Sequence, residues 1–212
     1  IYNNAGYLYY LQDLLEEADS IYQLAEKLAI QRNDTSLWAE ALSFQGKINI
    51  ERGIPYYPKA EEKLLKAFEM TSAPSYKRVQ AGIAAALSSL YNSMEFNKKA
   101  IQYAQLNISL RSDTAQRYRA FLLLGDAYFK AGQYDSATIY INKSLLSTGY
   151  GTKASAYMRL AEIAKVLQTT PNYLLGFADN NDGFADEALG LLRDVKDQSV
   201  REIFLKQIRA LI

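Results

Sequence analysis

The segment from Tyr118 to Leu145, YRAFLLLGDAYFKAGQYDSATIYINKSL, constrains the fold more than any other, because its spacing returns along most of the chain. Phe121, Leu124 and Tyr128 recur at three- and four-residue steps, which sets them on one face of a helix. Gly125 leaves that face open to a close neighbour. Gly132 to Asp135 interrupts the pattern and predicts a turn, with Asp135 capping a second helix whose inner stripe is Ala137, Ile141 and Leu145. Two helices that pack at roughly 8 to 10 Å need small residues where they cross. Gly125 and Ala137 supply them, and a larger side chain at either would clash.

The same order of small and large residues appears four more times. Gly6, Tyr9, Ala18, Tyr22 and Ala25 carry it first, then Leu42, Gly46, Asn49, Ala60, Leu64 and Ala67. Ala84, Leu87, Ser88, Tyr91, Ala100, Ala104 and Ile108 follow, and Tyr157, Leu160, Ala161 and Ala164 repeat its first half. The expected units are about 1–30, 36–70, 75–110 and 118–148, with a fifth first helix over 152–168. Ile1 falls inside a first helix, from which a fragment of a longer chain is expected. Between Gly53 and Pro58 two prolines forbid continuous helix, so a protruding loop with partly exposed tyrosines is expected.

Phe121, Leu124, Gly125, Tyr128, Ala137 and Ile141 together resemble the signature of the tetratricopeptide repeat. The chain departs from that pattern at Ile141, where an aromatic is usual, at Ser144, where alanine is usual, and at Gly149, where proline is frequent. The glycine-equivalent positions 6, 46, 88, 125 and 161 are 40, 42, 37 and 36 residues apart. All exceed the repeat's usual 34, which implies longer second helices or longer turns. The resemblance implies an all-α, right-handed superhelical solenoid of about 4.5 helical hairpins over 1–168, with capping helices over 169–212.

It also implies a function. First helices of such arrays line a concave face that holds a peptide or protein segment. That projection places Tyr7, Tyr10, Lys47, Asn92, Arg119, Asp126, Lys130, Glu162 and Lys165 on the binding face. Family members that grip a chaperone's acidic tail carry Lys and Asn early in their first repeats. Here those slots hold Asn3, Tyr7 and Ser43, so that ligand is not expected. The expected role is a non-catalytic scaffold for a protein or peptide, with a second copy of the chain also among its partners. The alternative is the sensory or dimerising part of a bacterial transcriptional or two-component regulator. Tyrosine-rich repeats of relaxed length are similar to those of bacterial surface and periplasmic proteins, which favours those locations.

A second resemblance lies near the end. Arg159 to Leu167, then Thr170 to Gly176, and on through Glu187, Ala188 and Leu189 toward Arg209, is similar to the last part of a phage-repressor-type helix-turn-helix domain. The likeness covers at most about 55 residues and omits the helices that such domains lay in the major groove. Base reading is therefore not expected. The net charge of +1 supplies no field to attract nucleic acid.

Composition narrows the chemistry. Histidine and cysteine are absent, which removes the commonest general base, thiolate nucleophiles and the usual zinc ligands. Adjacent pairs Glu16-Glu17 and Glu61-Glu62 point in different directions from a helix and do not form an acid–base couple. The loop Asp179 to Gly183 lacks acids at the first and last positions of a calcium loop. No catalysis, metal or cofactor is expected, and no apolar run approaches the roughly 18 residues of a membrane span.

Overall fold

The computed structural model describes residues 2–175, and the part of the expected cap beyond Leu175 lies outside them. The chain is all-helical, with no strand among the described residues. It divides into two compact units, Ile1–Ser112 and Asp113–Ile212.

The first unit holds α1 (Tyr2–Leu11), α2 (Leu15–Gln31), α3 (Thr35–Glu51), α4 (Tyr57–Met70), α5 (Lys77–Ser93) and α6 (Asn97–Leu110). Helices pair as α1 with α2, α3 with α4 and α5 with α6. Each pair also meets the next, α2 against α3 and α4 against α5, and α3 touches both α1 and α5. In the second unit α7 (Thr114–Lys130) pairs with α8 (Tyr134–Ser144), and α9 (Tyr150–Leu167) packs on α7, α8 and the short α10 (Pro171–Leu175).

Second-helix length explains the long steps between units. The 17 residues of α2 exceed the 11 of α8, and short 3-10 turns at Ile54–Tyr56 and Pro74–Tyr76 flank α4. The expected 53–58 loop holds one of these 3-10 turns and the start of α4. Pro55 sits in the 3-10 turn and Pro58 in the first turn of α4, where a missing N–H costs nothing. Its exposure is as expected, with Ile54 76% and Tyr56 38% accessible.

One turn geometry closes three of the hairpins. Seven residues beyond the glycine position the backbone turns left-handed, at Asp13 (φ 60°), Glu95 (φ 61°) and Gly132 (φ 72°). The next N–H then bonds back across the turn, Leu14 to Tyr9 O at 3.0 Å, Phe96 to Tyr91 O at 2.8 Å and Gln133 to Tyr128 O at 2.9 Å. Gly53 (φ 90°) holds the corresponding place between α3 and α4, where the added 3-10 turn alters the bonding. Asp135 is not the cap expected of it: α8 begins at Tyr134, Gln133 occupies the cap position, and Asp135 lies within the first turn. There its charge faces the positive end of the helix dipole. True side-chain caps are Asp34, accepting from Leu37 N at 2.9 Å, and Asp113, accepting from Ala115 N at 2.7 Å.

Where each hairpin crosses, the first helix offers almost no side chain. A Cβ on Gly6 would lie 2.8 Å from Tyr22 Cζ, one on Gly46 2.6 Å from Leu64 Cγ, and one on Gly125 2.5 Å from Ile141 Cγ1. The third hairpin solves the crossing differently. Ser88 replaces glycine, and its buried hydroxyl donates to Ala100 O at 2.9 Å. The residue that stands to Ser88 as Ile141 stands to Gly125 is the small, fully buried Ala104. Fully buried alanines line the inner faces of the second helices, among them Ala18, Ala25, Ala60, Ala67, Ala100 and Ala137. Close approach of helices across such stripes removes much apolar surface from water.

A polar net crosses the first unit. Gln45 Nε2 donates to Tyr22 O at 3.2 Å and to Glu26 at 2.9 Å, Trp38 Nε1 donates to Glu26 at 3.2 Å, and Lys63 reaches Gln45 Oε1 from α4. Buried Gln45, on α3, is thereby satisfied from α2 and α4, which fixes the mutual register of the three helices. In the second unit Ala137, Ile141, Ala156, Leu160 and Ile163 form the core, and Asn142 Nδ2 donates to Leu174 O at 3.0 Å to hold α10.

Candidate binding surfaces on the first helices

In the first unit the candidate residues Tyr7, Tyr10 and Lys47 gather around Phe44, which the sequence reading missed. Tyr22 stacks parallel to the Phe44 ring at 4.6 Å, while Tyr7 and Tyr10 approach it edgewise at 5.9 and 6.2 Å. Edge-to-face contact sets the positive rim of one ring against the negative face of another. The Lys47 ammonium stands over the same ring, 4.3 Å from its centre. Phe44 lies two residues before Gly46, on the turn of α3 that faces α1 and α2, and its neighbours become visible only once α1 is packed.

Electrostatics sharpen this cluster. Withdrawal from water lowers the Lys47 amine to about 8, with the charge of Arg111 adding to the effect and Glu40 opposing it. Among the described residues no carboxylate forms an ion pair with Lys47. Tyr10 is pushed up to about 12, chiefly by burial and then by Glu51, whose carboxylate accepts its hydroxyl at 3.2 Å. Tyr10 is thus a neutral donor through the physiological range. Asn92, on α5, is half-buried, and its buried Oδ1 has no hydrogen-bond partner among the described residues.

In the second unit the candidates divide into two groups. Asp126 and Glu162 are brought together by Arg159, which donates to Asp126 Oδ1 at 2.6 Å, pairs with Glu162, and lies over the Phe129 ring at 4.8 Å. Burial raises Asp126, against the opposing pull of Arg159. Arg159 was not among the candidate binding residues read from the sequence, although it precedes Ala161 as Phe44 precedes Gly46. Arg119, Lys130 and Lys165 form the second group, all exposed. A separate open depression of about 410 Å³ is lined by Gly132, Gln133, Tyr134, Asp135, Ser136 and Leu167.

These groups offer hydrogen bonds, ring faces and the half-buried amine of Lys47. Among the described residues no cluster of acidic side chains could hold a metal ion, and no helix is long and apolar enough to cross a membrane. A scan of the chain against protein-family models gives no match, and neither does a search of curated proteins.

Proposed function

We propose that the chain is a non-catalytic scaffold similar to the tetratricopeptide-repeat family, its helix pairs stacked as a right-handed solenoid and its first helices holding a segment of a partner protein. The observation that carries this reading is the recurrence of one crossing, small residue against second helix, at Gly6, Gly46, Ser88 and Gly125. Contacts from one first helix to the next, α1 to α3 and α3 to α5, support stacking of repeats in a single direction. Polar and aromatic groups on those helices fit recognition better than turnover, since no side chain with an ordinary pKa near neutrality is present. The test is capture of a partner by wild type and by Arg119→Ala/Lys130→Ala. Because both side chains are exposed, the variant should melt within about 2 °C of wild type. Weakened capture supports the reading, and equal capture contradicts it.

A further inference from the structure

Leu14, Ile54 and Phe96 occupy one place in three successive hairpins, eight residues beyond Gly6, Gly46 and Ser88. Each is a large apolar side chain left in water, 40%, 76% and 50% accessible. Two ion pairs hold the three turns level. Arg52, entering the second turn, reaches Glu16 on α2 at 3.2 Å, and Lys99 on α6 reaches Glu61 on α4 at 3.7 Å. Since α1 meets α3 and α3 meets α5, the turns share one edge of the first unit. The three side chains form a line there, about 10 Å from one to the next, the spacing of packed helices. Such a row differs from apolar residues scattered singly over a surface, which need no explanation. In the fourth hairpin the place is taken by Gln133, so the row belongs to the first unit alone.

Charge indicates what the row meets. Two and three residues further on, at equivalent places, the first turn carries Glu16 and Glu17 and the third carries Lys98 and Lys99. Glu17 and Lys98 are exposed and form no ion pair among the described residues. Asp13 and Glu95 are acidic in both turns, so the contrast lies in the later pair. An edge that is apolar along its length, acidic at one end and basic at the other is complementary to itself turned end for end. We infer that this edge is the contact surface between two copies of the chain, related by a two-fold axis at Ile54. Ile54 then meets its own copy, Leu14 meets Phe96 of the second copy, and Glu17 meets Lys98 of the second copy. Rows aligned in the same direction would set Glu17 on Glu17 and Lys98 on Lys98, and like charges disfavour that. Three side chains from each copy make a contact smaller than a permanent interface, so a dissociation constant on the order of 100 µM is expected. The inference goes beyond the scaffold reading and is independent of it, because the edge lies at the hairpin turns and not on the faces of the first helices.

Sedimentation equilibrium of the full chain from about 10 µM to about 1 mM tests it, at low salt so that exposed charges are least screened. Wild type should pass from monomer to dimer over that range. Ile54→Lys sets two ammonium groups against each other at the axis. It should weaken dimerisation at least about tenfold while melting within about 2 °C of wild type, since Ile54 is exposed. Glu17→Lys and Lys98→Glu should each weaken the dimer about three- to tenfold. The double variant Glu17→Lys/Lys98→Glu should return to within about twofold of wild type, because the pairs re-form with their signs exchanged. A wild type that stays monomeric to about 1 mM overturns the inference and leaves the edge to a different partner. A dimer indifferent to Ile54→Lys overturns it by placing the contact elsewhere on the chain, and a double variant as weak as its two losses combined overturns the end-for-end alignment.

Discussion

Ser88 donates its hydroxyl to the Ala100 carbonyl at 2.9 Å, across the crossing where the other hairpins carry glycine. The corresponding carbonyl in the fourth hairpin, Ala137 O, would lie 3.3 Å from a Cβ on Gly125. A hydroxyl can stand at a carbonyl that a methyl group would merely crowd, because the oxygen gains a hydrogen bond at that separation. The room for it comes from the second helix. Glycine faces the large Tyr22, Leu64 and Ile141, while the residue at the same sequence step from Ser88 as Ile141 from Gly125 is the small, buried Ala104.

The left-handed residue that closes each hairpin gives the first prediction. Glu95 adopts φ 61° with a Cβ, whereas Gly132 adopts φ 72° without one. Glu95→Gly should raise stability by about 0.5 kcal/mol, the steric relief exceeding the entropy added to the unfolded chain. Gly132→Ala should lower it by about 1 kcal/mol. Urea midpoints at unchanged slope measure both. Destabilisation by Glu95→Gly would show that its side chain, and not the turn, sets the conformation.

Stability should rise and then fall with alkaline pH. Lys47 is lowered in the folded protein from 10.5 to about 8, so between those values the unfolded chain binds more protons and stability increases. Tyr10 is raised from 10.0 to about 12, and Tyr22 and Tyr91 are raised as well. Above about 10 the unfolded chain therefore loses protons first, and stability drops. Urea melts from pH 7 to 11 should show a maximum between the two. In Lys47→Met the rising limb should disappear, and its persistence would assign that limb to another group.

Arg159 holds two carboxylates, and removing it should cost more than its exposure suggests. With side chains 25% and 30% accessible, the Arg159–Asp126 pair is partly screened, so Arg159→Met is expected to destabilise by about 1 to 2 kcal/mol. Asp126→Asn in the same chain should recover about half of that, because the stranded charge is then gone. Urea unfolding of the three variants decides, and strictly additive losses would contradict the coupling.

The helices and their pairing were legible because glycine, alanine and large apolar residues recur at helical spacing. The crossing at Gly125 and Ala137 falls where that spacing placed it. Asp135 misled because aspartate is favoured both as a cap and in the first turn, and only the backbone distinguishes the two. Asp13 and Glu95 hid the repeated turn, since neither is glycine. Phe44 and Arg159 were missed as candidate binding residues for a different reason. Each acquires its neighbours from another hairpin, Phe44 from α1 and α2 and Arg159 from α7, and periodicity within one helix carries no record of such contacts.

The account rests on one hairpin design in which the first helix stays small where the second is large. A double-mutant cycle on the fourth hairpin tests it. Gly125→Ser and Ile141→Ala should each destabilise, by about 1 to 3 and 2 to 5 kcal/mol respectively, the first by overpacking and the second by leaving a cavity. Together they reproduce the Ser88 and Ala104 arrangement, and the double variant should lose at least about 1 kcal/mol less than the sum of the two. Losses that simply add, measured by urea unfolding at unchanged slope, would mean that the two positions do not meet and that the repeated crossing is not what closes the hairpin.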